Sequence, residues 1–96
     1  MKKKIKTFEI AQGETLKRGV DWTKEALGDI TSSAWVVSAG LTVTGPAYDA
    51  DTSFAFFTLL PTVQVGAVLS ATNRVAAGGE TMERTFQFEV VESKYD

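Results

Sequence analysis

Apolar and polar residues alternate along most of this chain with a period of two, and no segment sustains the three-to-four-residue repeat of a helix. Short runs of β-branched and aromatic residues are each followed by Gly, Pro, Asp or Ser. That rhythm predicts a sandwich or barrel of short strands. The first strand is expected over Ile5 to Ile10, with Phe8 and Ile10 on one face and closure at Gln12 and Gly13. A second, Leu16 to Trp22, sets Leu16, Arg18, Val20 and Trp22 against Lys17, Gly19 and Asp21. Thr23 to Gly28 fits one helical turn, with Thr23 as cap and Gly28 as stop. The third strand, Asp29 to Ser38, carries Ile30, Trp35 and Val37 and changes register near Ser32 and Ser33. Leu41 to Thr44 is short and stops at the turn signal Gly45 and Pro46, after which Tyr48 to Ser53 reads as a loop.

Phe54 to Leu60 is different, because Phe54 and Phe56 on one side alternate with Phe57 and Leu59 on the other. A strand that is apolar on both faces is covered on both, within the monomer or by another subunit. Pro61 bars its continuation as a central strand, and residues 62–65 either pair separately or connect. Gly66 to Val75 then alternates Ala67, Leu69, Ala71, Asn73 and Val75 with Val68, Ser70, Thr72 and Arg74. Ala76 to Glu80, holding Gly78 and Gly79, predicts a hairpin loop. The last strand, Thr81 to Val91, aims Met82, Arg84, Phe86, Phe88 and Val90 inward and Glu83, Thr85, Gln87 and Glu89 at water. Seven strands result, or eight if 62–65 pairs, around an expected core of Trp22, Trp35, Phe57, Leu69, Phe86 and Phe88.

The 96 residues suit one domain, with 1–6 as a basic arm and 92–96 as a frayed tail. A composition of 44% hydrophobic and 23% charged residues argues for a folded globule. The chain has neither Cys nor His, which removes the Ser-His-Asp and Cys-His nucleophile arrangements and the usual zinc sites together. No cofactor or metal is expected. A net charge of −2 gives no overall basic field for nucleic acid, although seven of the ten basic residues, Lys2, Lys3, Lys4, Lys6, Lys17, Arg18 and Lys24, lie in the first quarter. The lysines after Met1 resemble the start of a secretory signal, but the alternating Ile5 to Ile10 replaces the apolar region such a signal needs. A protein made in the cytoplasm without its own export signal, and without a membrane partner, is the expectation.

Four constellations bear on chemistry. Asp49, Asp51 and Ser53 have the spacing that opens a calcium loop, yet Phe54 stands where the loop needs Gly and Leu60 where it needs a bidentate Glu. An Asx turn is the expected use. Glu80, Glu83 and Arg84 suggest either a carboxylate pair or a charged rim guarding a sheet edge, the latter being preferred. Trp22 and Trp35 suit sugar stacking in principle, but a core this small needs both indoles. A contact surface is expected at Phe54, Phe56, Phe57 and Leu59, at Pro61, Val63 and Val65, and at the basic arm of Lys2, Lys3 and Lys4.

The order of residues from Val20 onward resembles a group of small tailed-bacteriophage virion structural proteins of the fibre-tail adaptor type. The likeness is carried by Val20, Asp21 and Trp22, by Gly28 to Trp35, and by Ala39 to Val43. It continues through Gly66 to Ala76, Gly78 and Gly79, and Glu83 to Phe86, so it covers about residues 16–91. The lysine-rich start and Pro61 to Gln64 depart from that pattern. The resemblance implies an immunoglobulin-like antiparallel β-sandwich. It further implies a non-enzymatic adaptor or connector at the neck, tail or fibre attachment, present as a homo-oligomer or in several copies and bound to other virion proteins. Capsid decoration and binding of carbohydrate on a host surface are the alternatives.

Overall fold

In the computed structural model, which describes residues 5–24 and 28–93, seven strands build two facing sheets. They are β1 (Lys6–Ala11), β2 (Leu16–Asp21), β3 (Ile30–Val37), β4 (Leu41–Tyr48), β5 (Thr52–Leu59), β6 (Val68–Ala77) and β7 (Glu80–Val91). One sheet has the order β1-β7-β6-β3 and the other β2-β5-β4. Setting β2, β5 and β4 against β3, β6 and β7 is the strand distribution of an immunoglobulin-like sandwich. The expected fold class therefore holds. The basic arm at Lys2, Lys3 and Lys4, the middle of the Thr23 to Gly28 turn and the last three residues lie outside the described residues.

The two-residue period does most of this work. On β6, Leu69, Ala71, Asn73, Val75 and Ala77 are buried, and on β7 so are Phe86, Phe88 and Val90, while the residues between them meet solvent to some degree. Gly78 and Gly79, at φ 57° and 81°, form the tight connection between these strands, in the left-handed region that only Gly enters without strain. The loop is thus shorter than the sequence suggests, because Ala76, Ala77 and Glu80 already belong to the ladder.

At the centre, Phe57 is fully buried, with ring centroids 5.2 Å from both Trp35 and Phe88 and 5.7 Å from Phe86. The contacts with Trp35 and Phe86 are edge-to-face, an arrangement that suits the ring quadrupoles and adds to what burial alone contributes. Trp22, Leu69, Phe86 and Phe88 join this core as expected, whereas Trp35 is only half-buried because β3 is the last strand of its sheet.

Three expectations need correction. The sheets are not wholly antiparallel: β1 runs parallel to β7, Lys6 beside Phe86 through Ala11 beside Val91. No hairpin joins these two strands, so packing sets their direction, and Phe8 lies 5.5 Å from Phe86 and 5.8 Å from Phe88. Next, β4 does not stop at Gly45 and Pro46 but runs on to Tyr48, with its register shifted between Thr44 and Ala47. An edge strand tolerates Pro at a bulge, and Gly45 at φ 57° makes the bend. The loop expected at Tyr48 to Ser53 contracts accordingly to residues 49–51. Of the two readings of residues 62–65, the connection holds: successive turns, with Val63 N–H donating to Leu60 O and Ala67 N–H to Gln64 O, carry the chain to β6. The register change expected near Ser32 and Ser33 is present between Ile30 and Ser32.

Candidate binding surface

The outer face of the β2-β5-β4 sheet is built by register. Lys17, Phe56 and Thr44 form one row across it and Gly19, Phe54 and Ala47 the next. Phe54, Phe56 and Thr58 succeed one another on this side of β5, a row about 13 Å long at the usual rise per residue, and Leu60 follows just past the end of the strand. Phe56 is 36% exposed and Leu60 47%, and Phe54 is partly exposed beneath the Lys17 ammonium, which sits 4.2 Å from its ring centroid. The neighbours of the two rings are small. Gly19 has to be: a Cβ there would stand 2.4 Å from the Ser53 carbonyl oxygen and 2.8 Å from Phe54 Cβ. The result is an apolar strip with the Lys17 ammonium over it.

The residues that sequence assigned to a contact surface divide between this strip and the interior. Phe54 and Phe56 lie together on the strip. Phe57 does not, because it is a central core side chain, and Leu59 also turns inward to pack on that core. The two-residue period forces this division, since a strand apolar on both faces buries only one in a two-layer sandwich. Pro61 and Val65 are exposed on the β5–β6 connection, while Val63 packs against the core beside Gly40. Gln12 Nε2 donates to the carbonyls of Leu60 and Val63 at 2.9 and 3.0 Å and holds that connection against the turn between β1 and β2. Lys2, Lys3 and Lys4 lie outside the described residues.

The other constellations resolve into structural roles. Asp49 Oδ1 accepts hydrogen bonds from Asp51 N, Thr52 N and Thr52 Oγ1 at 3.1, 2.9 and 2.7 Å, which makes it the acceptor of an Asx turn. These bonds, the Thr52 hydroxyl first, lower its pKa to about 2. Glu80 and Glu83, three apart on β7, point to opposite faces and form no carboxylate pair. Glu83 instead accepts from Arg74 Nε at 2.6 Å in an exposed ion pair across the ladder. Trp22 is buried with the Arg84 guanidinium 5.0 Å from its ring, and the half-buried Trp35 makes T-shaped contacts with Phe57 and Phe86 at 5.2 and 5.6 Å.

A cleft of about 390 Å³ opens between β1, β2 and β7 over Phe8, Val20 and Phe86, with Lys6, Asp21 and Arg84 at its rim. Arg18 crosses beside it, its guanidinium 4.8 Å from the Phe8 ring and its Nη1 donating to Lys17 O at 2.8 Å.

Sequence reasoning missed the buried polar cluster at Asn73. Trp22 Nε1 donates to Asn73 Oδ1 at 2.9 Å, and Asn73 Nδ2 reaches Ser33 Oγ, Ala34 O and Ser53 Oγ at 3.0, 3.1 and 3.1 Å. The signal was available: Asn73 and Ser53 are polar residues in the inward phase of their strands. No protein-family model matches the chain, and neither a curated protein nor a solved structure is significantly similar to it.

Proposed function

We propose that the chain is a non-enzymatic structural module of a tailed-phage virion, an adaptor or connector at the neck, tail or fibre attachment. It acts in several copies, through contacts made by the outer face of the β2-β5-β4 sheet and by the exposed Pro61 and Val65 beside it. The observation that carries this reading is the Phe54–Phe56 strip. Two large aromatic side chains in the middle of a sheet face, ringed by Gly19, Gly45 and Ala47, add nothing to the core. Apolar strips of this kind gain free energy when another surface covers them, and buried aromatic residues dominate such contacts. The order of residues over about 16–91 supports assigning that other surface to virion proteins.

The test is binding of the purified chain to the purified neck, tail, fibre and capsid proteins of the particle, followed by calorimetry. The double substitution F54S/F56S is expected to fold with a nearly unchanged melting curve and to weaken binding by a factor of about 100 or more, as loss of central aromatic anchors does. Unaltered binding of that variant would remove the strip from the contact. Failure of the wild-type chain to bind any of these proteins would remove the virion reading.

A further inference from the structure

Edge strands invite pairing with other chains, and three of the four here carry a device that blocks it. β1 is short and sets Lys6 and Glu9 on its edge. β2 is equally short, bears Lys17, Arg18 and Asp21, and has its Lys17 carbonyl capped by Arg18. β4 is broken by the bulge at Gly45 and Pro46. β3 has none of these. It is eight residues long and contains neither charge nor Pro, and its one irregularity lies between Ile30 and Ser32. No charged residue occurs anywhere between Asp29 and Asp49.

The register shows which backbone groups are free. Ser38 N–H donates to Ser70 O at 3.0 Å, so Ser38, Val36 and Ala34 in alternation exchange hydrogen bonds with β6. Ser33, Trp35 and Val37 consequently aim their N–H and C=O groups at the open edge, where no strand among the described residues pairs with them. Lower down, the edge is closed: the Tyr48 hydroxyl donates to Thr31 O and Ile30 N–H to Ala50 O, both at 2.9 Å.

We infer that Ser33 to Val37 is a self-association site, where a second copy of the chain pairs antiparallel about a twofold axis through Trp35. In that register Trp35 of one protomer exchanges both hydrogen bonds with Trp35 of the other, and Ser33 does so with Val37. On the outer face Ala34 of each protomer meets Val36 of the other; Ala34 is exposed and Val36 is 64% exposed. The edge thus complements itself without opposing charges, as a twofold contact requires. The added strand also covers Trp35 and Val37, which are only half-buried where β3 ends the sheet. The surface lies on the sheet opposite the Phe54–Phe56 strip, so this inference stands apart from the virion reading.

Sedimentation equilibrium of the full chain and two double variants tests it. The wild type is expected to dimerise reversibly. A34E/V36E opposes two carboxylates on each side of the axis and is expected to raise the dimer Kd by about tenfold or more. A34E/V36K sets opposite charges in the same register and is expected to stay within about threefold of wild type. The new carboxylate at position 34 lies beside Arg74 in both variants, so its effect within one protomer cancels in the comparison. In wild type, the amides of Ser33, Trp35 and Val37 are expected to lose protection from exchange on dilution. A wild-type chain that stays monomeric, equal Kd values for the two variants, or concentration-independent exchange at those amides would overturn the inference.

Discussion

Asn73 is fully buried in phase with Leu69, Ala71 and Val75, and it is tolerated there because its amide is satisfied on both sides. It ties four parts of the chain together: Trp22 after β2, Ser33 and Ala34 on β3, Ser53 on β5 and its own strand β6. The cluster therefore crosses between the sheets as well as along one. Asn73→Leu keeps the volume roughly constant but leaves the Trp22 indole N–H buried without an acceptor. The expected loss is about 2–4 kcal/mol, read from urea unfolding, since a buried donor left unpaired loses its full hydration. An unchanged midpoint would mean that the cluster contributes nothing to stability. The inward phase of Asn73 is visible in sequence. Its partner is not, because Trp22 stands 51 residues away and only the folded sandwich brings the two together.

Elements were legible in proportion to how far side-chain period alone defines them. β6, β7 and the inward face of β2 follow the alternation almost residue by residue. The passage of β4 through Pro46 was not legible, because local chemistry there signals a turn and only the edge position of the strand permits it to continue. The parallel pairing of β1 was hidden for a related reason, as its direction depends on Phe8 meeting Phe86 and Phe88, remote in sequence. At Phe54 to Leu59 the pattern revealed two apolar faces but not which one faced in. Inward Ser53 and Ala55 extend the buried side of Phe57 and leave Phe54 and Phe56 outside.

The β4–β5 connection carries a pH prediction. Asp49 has its pKa lowered from 3.8 to about 2 by hydrogen bonds that exist only in the folded chain. A depressed carboxylate stabilises the fold above its unfolded pKa, and that contribution disappears as pH falls from about 4 through about 2. Asp21, whose carboxylate accepts from the Thr23 hydroxyl and backbone N–H, is shifted in the same direction. Thermal melts between pH 5 and pH 2 are expected to fall more steeply for wild type than for Asp49→Ala. Parallel curves would show that the turn does not hold the carboxylate in its charged form.

Across the whole molecule, charge is segregated. Lysine, arginine and acidic residues populate β1, β2 and β7, whereas β3 and β4 are uncharged throughout. Among the described residues, the aromatic strip on the β2-β5-β4 sheet and the bare edge of β3 remain uncovered in one protomer. Both are suited to holding other chains, and the dense aromatic core beneath them gives a firm platform. Hydroxyl-radical footprinting read by mass spectrometry tests the proposed role of the strip most directly. Phe54 and Phe56 are expected to be oxidised in the free chain and protected in assembled particles, with buried Phe57 unreactive in both. Equal oxidation of Phe54 and Phe56 in the two states would contradict it.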